Sequence, residues 1–153
     1  MAGLSNPVVV LPPRNTLWAT TNVGGSVNGD QIPIVWNNVL DSVGTAIVLV
    51  NSRIEFPRGG RFDIVSSIHT TGTTARINVM LAARLNGNQL LPGRGASGYI
   101  RAATGHNQSS SSTHITHNAS PGDFIELVGI QEANGGNATL VANSSSLLVK
   151  EVR

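Results

Sequence analysis

The chain lacks cysteine, and it is poor in charged residues (12%) and aromatic residues (4%). The absence of cysteine excludes a disulfide scaffold, a cysteine-ligated zinc site and a thiol nucleophile. With 40% hydrophobic residues and so little charge, the composition is not that of a disordered chain. The core must therefore be built from Val, Ile, Leu and Ala, and a length of 153 residues suits one domain.

Long hydrophobic runs and basic clusters are also missing. No run approaches the roughly 18 apolar residues of a membrane-spanning helix, and the first residues lack the basic segment of a signal peptide. The formal net charge is only +2, and the one local group of basic residues is Arg53, Arg58 and Arg61. Nucleic-acid binders cluster their basic residues on one face. We therefore expect neither a membrane nor a nucleic acid as a partner.

The first thirteen residues differ in character from the rest. Asn6-Pro7 and Pro12-Pro13 bracket a short apolar segment. That segment consists of Val8, Val9, Val10 and Leu11. Proline removes a backbone donor and favours extended conformations. We predict an extended N-terminal arm over residues 1–13, followed by one domain over residues 14–153. A frayed terminus is the alternative interpretation of the arm.

From Arg14 onward, apolar residues recur with the period of two that is typical of strands. One face of segment 76–85 is formed by Ile77, Val79, Leu81, Ala83 and Leu85. The preceding segment alternates in the same way through Phe62, Ile64, Ser66 and Ile68. Turn dipeptides such as Asn86-Gly87 and Pro121-Gly122 separate these segments. The pattern predicts an antiparallel all-β sandwich or barrel.

Two Gly- and Ser-rich regions interrupt the strand pattern. Residues 92–112 predict a long surface loop that holds one short strand near Tyr99 and Ile100. A run of three serines at residues 144–146 interrupts the last segment, which resumes at Leu147.

Several stretches, taken in order, are similar to a known family. They are Ile34-Val-Trp36-Asn-Asn-Val39, residues 52–64, Leu85-Asn86-Gly87, residues 121–127 and residues 145–149. The stretch 52–64 is similar to the family's F-x-x-P-x-x-G-x-Y signature, with Phe62 in place of the usual Tyr. The chain thus resembles the trimeric jelly-roll superfamily of tumour necrosis factor and the complement globular head, in the short form found in phage and bacterial proteins. The resemblance implies an antiparallel two-sheet jelly-roll sandwich of about ten strands and a compact homotrimer.

Segment 123–131 carries apolar residues on both of its faces. Ile125 and Leu127 share one face, which we assign to the sandwich core. Phe124, Val128 and Ile130 share the other. A large apolar patch rarely stays exposed on a monomer. We therefore predict that Phe124, Val128 and Ile130 form the homotrimer interface.

No motif at usable spacing indicates catalysis or metal binding. The segment from Gly93 to Gly98 matches G-x-G-x-x-G, but no helical period follows it, which favours a loop over a dinucleotide site. His114 and His117 would lie on opposite faces of a strand, about 10 Å apart, so one chain cannot chelate a metal with both. Three copies of one histidine meeting at a trimer axis remain an alternative. We expect no catalytic residue, no metal and no cofactor, and the chain is not expected to be an enzyme.

Two functional hypotheses follow. The first is a bacteriophage capsid decoration or cement protein on the outside of the virion, with the major capsid protein as partner and residues 8–11 as the capsid-binding arm. It is motivated by the absence of an export signal, by a domain that fills nearly the whole chain and by the short apolar arm. The alternative is a phage fibre tip or receptor-binding head whose loops recognise a host surface glycan or protein receptor. A secreted cytokine-like ligand is disfavoured by the missing signal peptide and cysteines.

Overall fold

The computed structural model describes residues 14–73, 77–95, 99–101, 106–132 and 137–152. This part of the chain forms thirteen β-strands. They are Thr16–Thr21 (β1), Gly25–Ser26 (β2), Ile32–Pro33 (β3), Asn38–Val43 (β4), Val48–Val50 (β5), Arg53–Glu55 (β6), Gly60–Gly72 (β7), Asn78–Leu85 (β8), Gln89–Leu90 (β9), Gln108–Ala119 (β10), Phe124–Glu132 (β11), Ala138–Leu140 (β12) and Ser145–Val152 (β13). Three of them have only two residues. The remaining ten correspond in number to the prediction.

The strands form two sheets in which every pairing is antiparallel. In the first sheet the order is β4-β1-β13-β7-β10. The short strand β12 pairs with residues 70–72 of β7, and β2 pairs with β12. In the second sheet the order is β5-β6-β11-β8-β9, and β3 also pairs with β11. This two-sheet architecture confirms the predicted all-β antiparallel sandwich.

The core lies between the two sheets, on the faces that the period-two pattern predicts. On β7 the inward residues Phe62, Ile64, Ser66 and Ile68 are all buried. From the second sheet they meet the predicted apolar face of β8 and the inward residues Ile125 and Leu127 of β11. The rings of Phe56 and Phe62 stack with their centroids 4.5 Å apart. Burial of each such side chain contributes about 1.5–3 kcal/mol.

Two predicted turns are confirmed in conformation. Asn86 and Gly87 have φ angles of 50° and 78° and connect β8 to β9, as a type I′ hairpin turn requires. Between β10 and β11, Gly122 has a φ of 88°, and the Asp123 N–H donates to the Ser120 carbonyl at 3.1 Å. That bond closes a turn with proline and glycine in its two central positions.

The loop predicted over residues 92–112 is wrong at its C-terminal end. Residues 109–112, four consecutive serines, belong to β10, which pairs with β7 from Gln108 to Ala119. Serine has little strand preference of its own, so the long partner strand determines the conformation here. The Ser111 hydroxyl donates to the Val79 carbonyl and so ties the edge of the first sheet to the second. Near the predicted short strand, Ile100 forms an isolated bridge with Ile77.

Candidate interaction surfaces

The outer face of the first sheet carries an uncovered apolar row. Trp18, Leu148 and Val65 lie directly opposite one another on β1, β13 and β7. Their neighbours along each strand point into the core, so these three side chains point away from it. Trp18 is 48% exposed and Val65 is 42% exposed, while Leu148 is half-buried. We call these three residues the apolar row; it is the first candidate site for a partner.

Polar residues flank the apolar row on both sides. Above it, the hydroxyls of Ser67 and Ser146 share a hydrogen bond of 3.0 Å across β7 and β13. Below it, the Thr116 hydroxyl donates to Asp63 at 2.6 Å, and Lys150 lies opposite Asp63. At its two ends the row is continued by Asp41 on β4 and His114 on β10. An apolar centre with a polar rim is the usual anatomy of a protein–protein interface.

A groove runs along the outer edge of β10. Among the described residues β10 pairs with β7 alone, so it is an edge strand of the first sheet. The groove has a volume of about 320 Å³ and is lined by Leu91, Pro92, Gly93 and residues 114–117. We call it the edge groove. His117 contributes a buried Nε2 that has no hydrogen-bond partner in the described part of the chain.

The predicted trimer interface lies on the outer face of the second sheet. Val128 and Ile130 pack there with Met80 and Ala82 in a cluster separate from the main core. Val128 is 0% and Ile130 8% exposed within the single chain. Phe124 is half-buried, and its ring lies 4.6 Å from the Arg53 guanidinium. The assignment of this face to a trimer stays a prediction, but its two aliphatic members have little surface left to bury.

An ion cluster borders this second face. Glu126 is buried and accepts from Arg53 Nε at 3.2 Å and from Arg84 Nη2 at 2.9 Å. The two arginines flank it from β6 and β8. A buried carboxylate is costly unless it is paired with cations. We therefore assign the two arginines a structural role, which is to compensate the buried charge of Glu126.

Comparisons with known proteins find similar solved structures but no similar sequence family. No family model and no curated protein matches the sequence. Among solved structures, murine APRIL superposes with a TM-score of 0.67 at 13% identity over 92% of this chain and 100% of that one. Eiger TNF from S. frugiperda gives 0.69 at 14% identity over 93% and 94% of the two chains. The globular domain of zebrafish complement 1qA protein gives 0.57 at 9% identity over 92% and 97%.

The chain has the tumour necrosis factor-like jelly-roll fold. This confirms the fold class predicted from the sequence and the resemblance to tumour necrosis factor and the complement globular head. At these identities the likeness concerns the fold alone, so function has to be argued from the surfaces of this TNF-like domain.

The predicted arm over residues 1–13 lies outside the described residues, and its boundary with the domain stays a prediction. Asn15 is buried; its side chain donates to Glu151 Oε2 at 2.6 Å and accepts from the Ala46 N–H at 3.0 Å. Arg58 Nη2 reaches the other Glu151 oxygen at 2.8 Å. The hydrogen bond from Asn15 and the nearby Arg58 charge lower the pKa of Glu151. Asn15 thereby ties the first described residues to β13 and to the segment before β5.

The histidines do not gather into a metal site in the part of the chain that the structure describes. No group of three or more His, Asp or Glu side chains there is arranged to hold a metal ion. His114 lies on the outer face of β10, and His117 points inward, as predicted from their spacing. His69 Nε2 is engaged with Gln108 Oε1 at 3.1 Å. The prediction of no metal and no catalytic residue stays a prediction.

Two further predictions concern the glycine motif and membranes. After Gly93 and Gly95, residues 99–101 are not helical, so the described part of this segment does not build a dinucleotide site. Gly95 instead exchanges two backbone hydrogen bonds with Leu81. The described residues contain no helix long and apolar enough to cross a membrane.

The apolar row was not predicted from the sequence, although the sequence pattern contains an indication of it. Trp18 stands between the buried residues Leu17 and Ala19, so it lies on the opposite face of β1 from them. Val65 and Leu148 are out of phase in the same way on β7 and β13. Apolar residues in the solvent-facing phase of three strands indicate a second apolar surface once the strand neighbours are known.

Proposed function

We propose that this chain is a non-enzymatic, homotrimeric structural protein that decorates the outside of a bacteriophage capsid. The observation that carries the proposal is the apolar row on the open face of a TNF-like sandwich. Large, partly exposed apolar side chains grouped at the centre of a broad sheet favour association with another chain. The arm then supplies a second attachment, to the capsid.

Self-association follows from the exposure of the row. Trp18 and Val65 leave about half of their surface in water, and each neighbours Leu148. Tryptophan is enriched among the residues that dominate binding energy, because it brings a large apolar area and one donor. The homotrimer expected from the fold therefore has a suitable surface on the first sheet. The surface around Val128 and Ile130 contributes less, because it is already buried.

Attachment to the capsid is assigned to the arm. Full burial of Val8, Val9, Val10 and Leu11 would contribute about 1.5–3 kcal/mol each. Three arms leave one trimer, and the second and third bind at a high effective concentration once the first is in place. An extended segment of this kind suits strand addition or groove packing on a capsid protein.

The test uses capsids prepared without this protein. The full chain should bind them, whereas a chain starting at Arg14 should fold and trimerise but stay in the supernatant when the capsids are sedimented. As a matched control, a full-length variant with residues 8–11 replaced by serine separates the length of the arm from its apolar character, and it should also fail to bind.

Two results for the chain that starts at Arg14 would contradict the proposal, and each would contradict a different part of it. Binding of the Arg14 chain at full occupancy would show that attachment runs through the domain surface. Failure of that chain to fold would show that the arm belongs to the domain, so that the boundary at residue 14 is wrong.

A receptor-binding head is the second candidate, and one feature favours it. Val23 and Val35 are exposed in connections between strands, and Val50 is exposed at the end of β5. Apolar side chains in exposed loops are typical of recognition sites. If the fluorescently labelled chain binds host cells but not capsids, and Val50→Asp abolishes that binding, the receptor function replaces the capsid function.

A further inference from the structure

We propose that the N-terminal arm of each chain lies along strand β4 of that same chain, where its apolar residues 8–11 cover an aliphatic edge of the sandwich. The inference goes beyond the proposed function, because it concerns the free protein and holds whatever partner the arm meets afterwards. Its support is the structure of this edge, the point where the arm joins the domain and the reach of the arm.

The sandwich is open along the side where its two sheets end at β4 and β5. Among the described residues β4 pairs with β1 alone and β5 pairs with β6 alone, so each is an edge strand of its sheet. Residues 44–47 connect the two strands at one end of this side. At the other end the Ser52 hydroxyl accepts from the Trp36 N–H at 3.1 Å, which ties the segment after β5 to the segment before β4. The two edge strands therefore flank one opening.

Aliphatic side chains at this opening stay partly in water. Val39 lies opposite the fully buried Ala19, on the inward face of β4, yet it is 49% exposed. Leu49 lies opposite the fully buried Ile54, on the inward face of β5, and it is only partly buried. Leu40, where the register between β1 and β4 shifts, is 48% exposed. We call Val39, Leu40 and Leu49 the aliphatic edge; it is a part of the core that lacks a cover.

The arm joins the domain at one end of the aliphatic edge. Asn15 accepts from the Ala46 N–H at 3.0 Å, in the connection between β4 and β5. A Cβ on Gly44 would collide with the Asn15 side chain, so the first described residues pack directly on that connection. Thr16 then pairs with Val43, the last residue of β4. The arm therefore starts where β4 turns towards β5.

The arm is long enough to lie along β4. The four residue steps from Asn15 back to Leu11 span at most about 13–14 Å. The free side of β4 is two inter-strand spacings from β1, which is about 10 Å. From there an extended segment from Leu11 back to Val8 covers about 10 Å, as does β4 from Val43 back to Leu40. The apolar part of the arm thus matches the aliphatic edge in position and in length.

The prolines of the arm suit an edge position. Proline has no N–H to donate, so within sheets it is confined to edge strands, strand ends and bulges. Pro7 and Pro12 stand directly before and after the four apolar residues. Backbone pairing with β4 would therefore stop at both ends of the segment. A segment so bracketed covers β4 without offering a long new edge to another chain.

The inference has a consequence for any external partner of the arm. Residues 8–11 cannot pack on β4 and on another protein at the same time, so the arm must leave the aliphatic edge before it attaches elsewhere. Docking on β4 has the advantage of a short connection, which keeps the arm at a high effective concentration beside its own edge. The aliphatic edge therefore competes with every external binding site for the arm.

The test uses the absence of cysteine from the wild-type chain. In the full-length variant that combines Val8→Cys with Leu40→Cys, mild oxidation should join the two thiols within one chain. The product should migrate as a monomer on a non-reducing denaturing gel, have a mass lower by two hydrogen atoms and leave no thiol free for titration.

The matched control combines Val8→Cys with Asn118→Cys. Asn118 is exposed on β10, level with the start of β1 but at the opposite edge of the first sheet. It is three inter-strand spacings or about 14 Å from β1, which residue 8 can also span. The control should keep its thiols free under the same oxidation, because reach alone does not place the arm on β10.

Two results for the variant with Val8→Cys and Leu40→Cys would overturn the inference. If it forms no more disulfide than the control, the arm does not lie on β4. If it forms only covalent dimers, the arm covers the edge of another copy. Both results are separate from failure of the proposed function, which is shown by a wild-type chain that does not bind capsids, whether or not this disulfide forms.

A second measurement tests the docked arm without an added thiol. Elastase cleaves after small aliphatic residues, so an arm packed on β4 should be cleaved within residues 8–11 several-fold more slowly than a released one. We expect Leu40→Ser to speed this cleavage, because it removes an apolar contact of the arm. Tyr99→Ser, at a position 64% exposed beside β8, is the control and should leave the rate unchanged. Equal rates for the wild type and Leu40→Ser would overturn the docking on β4.

Discussion

At the residue scale, Asn15 holds together three segments that are distant in sequence. Its side chain donates to Glu151 on β13 and accepts from the Ala46 N–H just before β5. Its own carbonyl accepts from the Glu151 N–H at 2.9 Å. A buried amide with two partners cannot be removed without leaving those partners unsatisfied. This one side chain therefore joins the residue before β1 to β13 and to the segment before β5.

We predict that Asn15→Ala destabilises the fold by about 1–3 kcal/mol, because a buried acceptor and a buried donor lose their partner. For a chain of this size, each kcal/mol corresponds to a fall in Tm of about 2–4 °C. Thermal unfolding followed by circular dichroism measures it. Asn88→Ala, at an exposed position in the β8–β9 turn, is the control and should leave Tm nearly unchanged. Equal Tm values for the two variants would contradict the role of Asn15.

The pH dependence of stability should follow from Glu151. Hydrogen bonds from Asn15 and Arg58 lower its pKa in the folded state from the ordinary 4.5. The unfolded chain therefore binds more protons near that pH, so this contribution is present above about pH 4.5 and is lost as the pH falls through the folded pKa. We expect Glu151→Gln to be less stable than wild type at neutral pH, with the difference shrinking in acid.

The measurement is Tm from about pH 6 to about pH 3 for both proteins. Asp123 acts in the same direction, because the Asn86 amide and the Ser120 N–H lower its pKa. The Glu151→Gln protein should therefore keep part of the acid sensitivity. A difference between the two proteins that stays constant across this range would show that Glu151 is not ionised differently on folding.

At the scale of elements, strands that stand out by their own pattern were predictable and those defined by a partner were not. The alternation from Phe62 to Ile68 and from Ile77 to Leu85 reflects one buried face, which a sequence displays directly. Four serines in β10 display nothing of the kind. The whole strand is held extended by twelve register partners on β7, and the Ser111 hydroxyl adds a hydrogen bond to the Val79 carbonyl. Tertiary context of that sort leaves no local pattern.

We predict that Gly95→Ala is strongly destabilising. Gly95 is held by two backbone hydrogen bonds to Leu81, and a Cβ at this position would collide with the Ser112 carbonyl. Since both neighbours are backbone, neither can yield easily, and the cost should be about 1–3 kcal/mol or more. Chemical denaturation should show a lower midpoint. Gly25→Ala is the control, because a Cβ there meets nothing within 4 Å. A Gly95→Ala midpoint as high as that control would mean that segment 91–95 moves aside freely.

At the scale of the whole molecule, the sequence predicted the fold and the need for a partner surface, but it did not predict where that surface is. Phe124, Val128 and Ile130 do form an outward face, as their alternation predicts. Whether such a face is open depends on what covers it, and within this chain Val128 is completely buried. The apolar row is assembled from single residues on three strands, and only the register of β1, β13 and β7 brings those residues together.

The concentration dependence of unfolding can decide which of the two faces joins the copies. If folded chains associate and unfolded ones do not, the wild-type Tm must rise with protein concentration by mass action. Val65→Glu places a carboxylate at the β7 end of the apolar row and, if the row is the interface, buries that charge in every copy. Its Tm should then be independent of concentration, whereas Val50→Glu, at an equally exposed position on the second sheet, should keep the wild-type slope. A Val65→Glu protein that keeps that slope would show that the apolar row is not the interface, and it would leave the face of Phe124, Val128 and Ile130 as the interface predicted from the sequence.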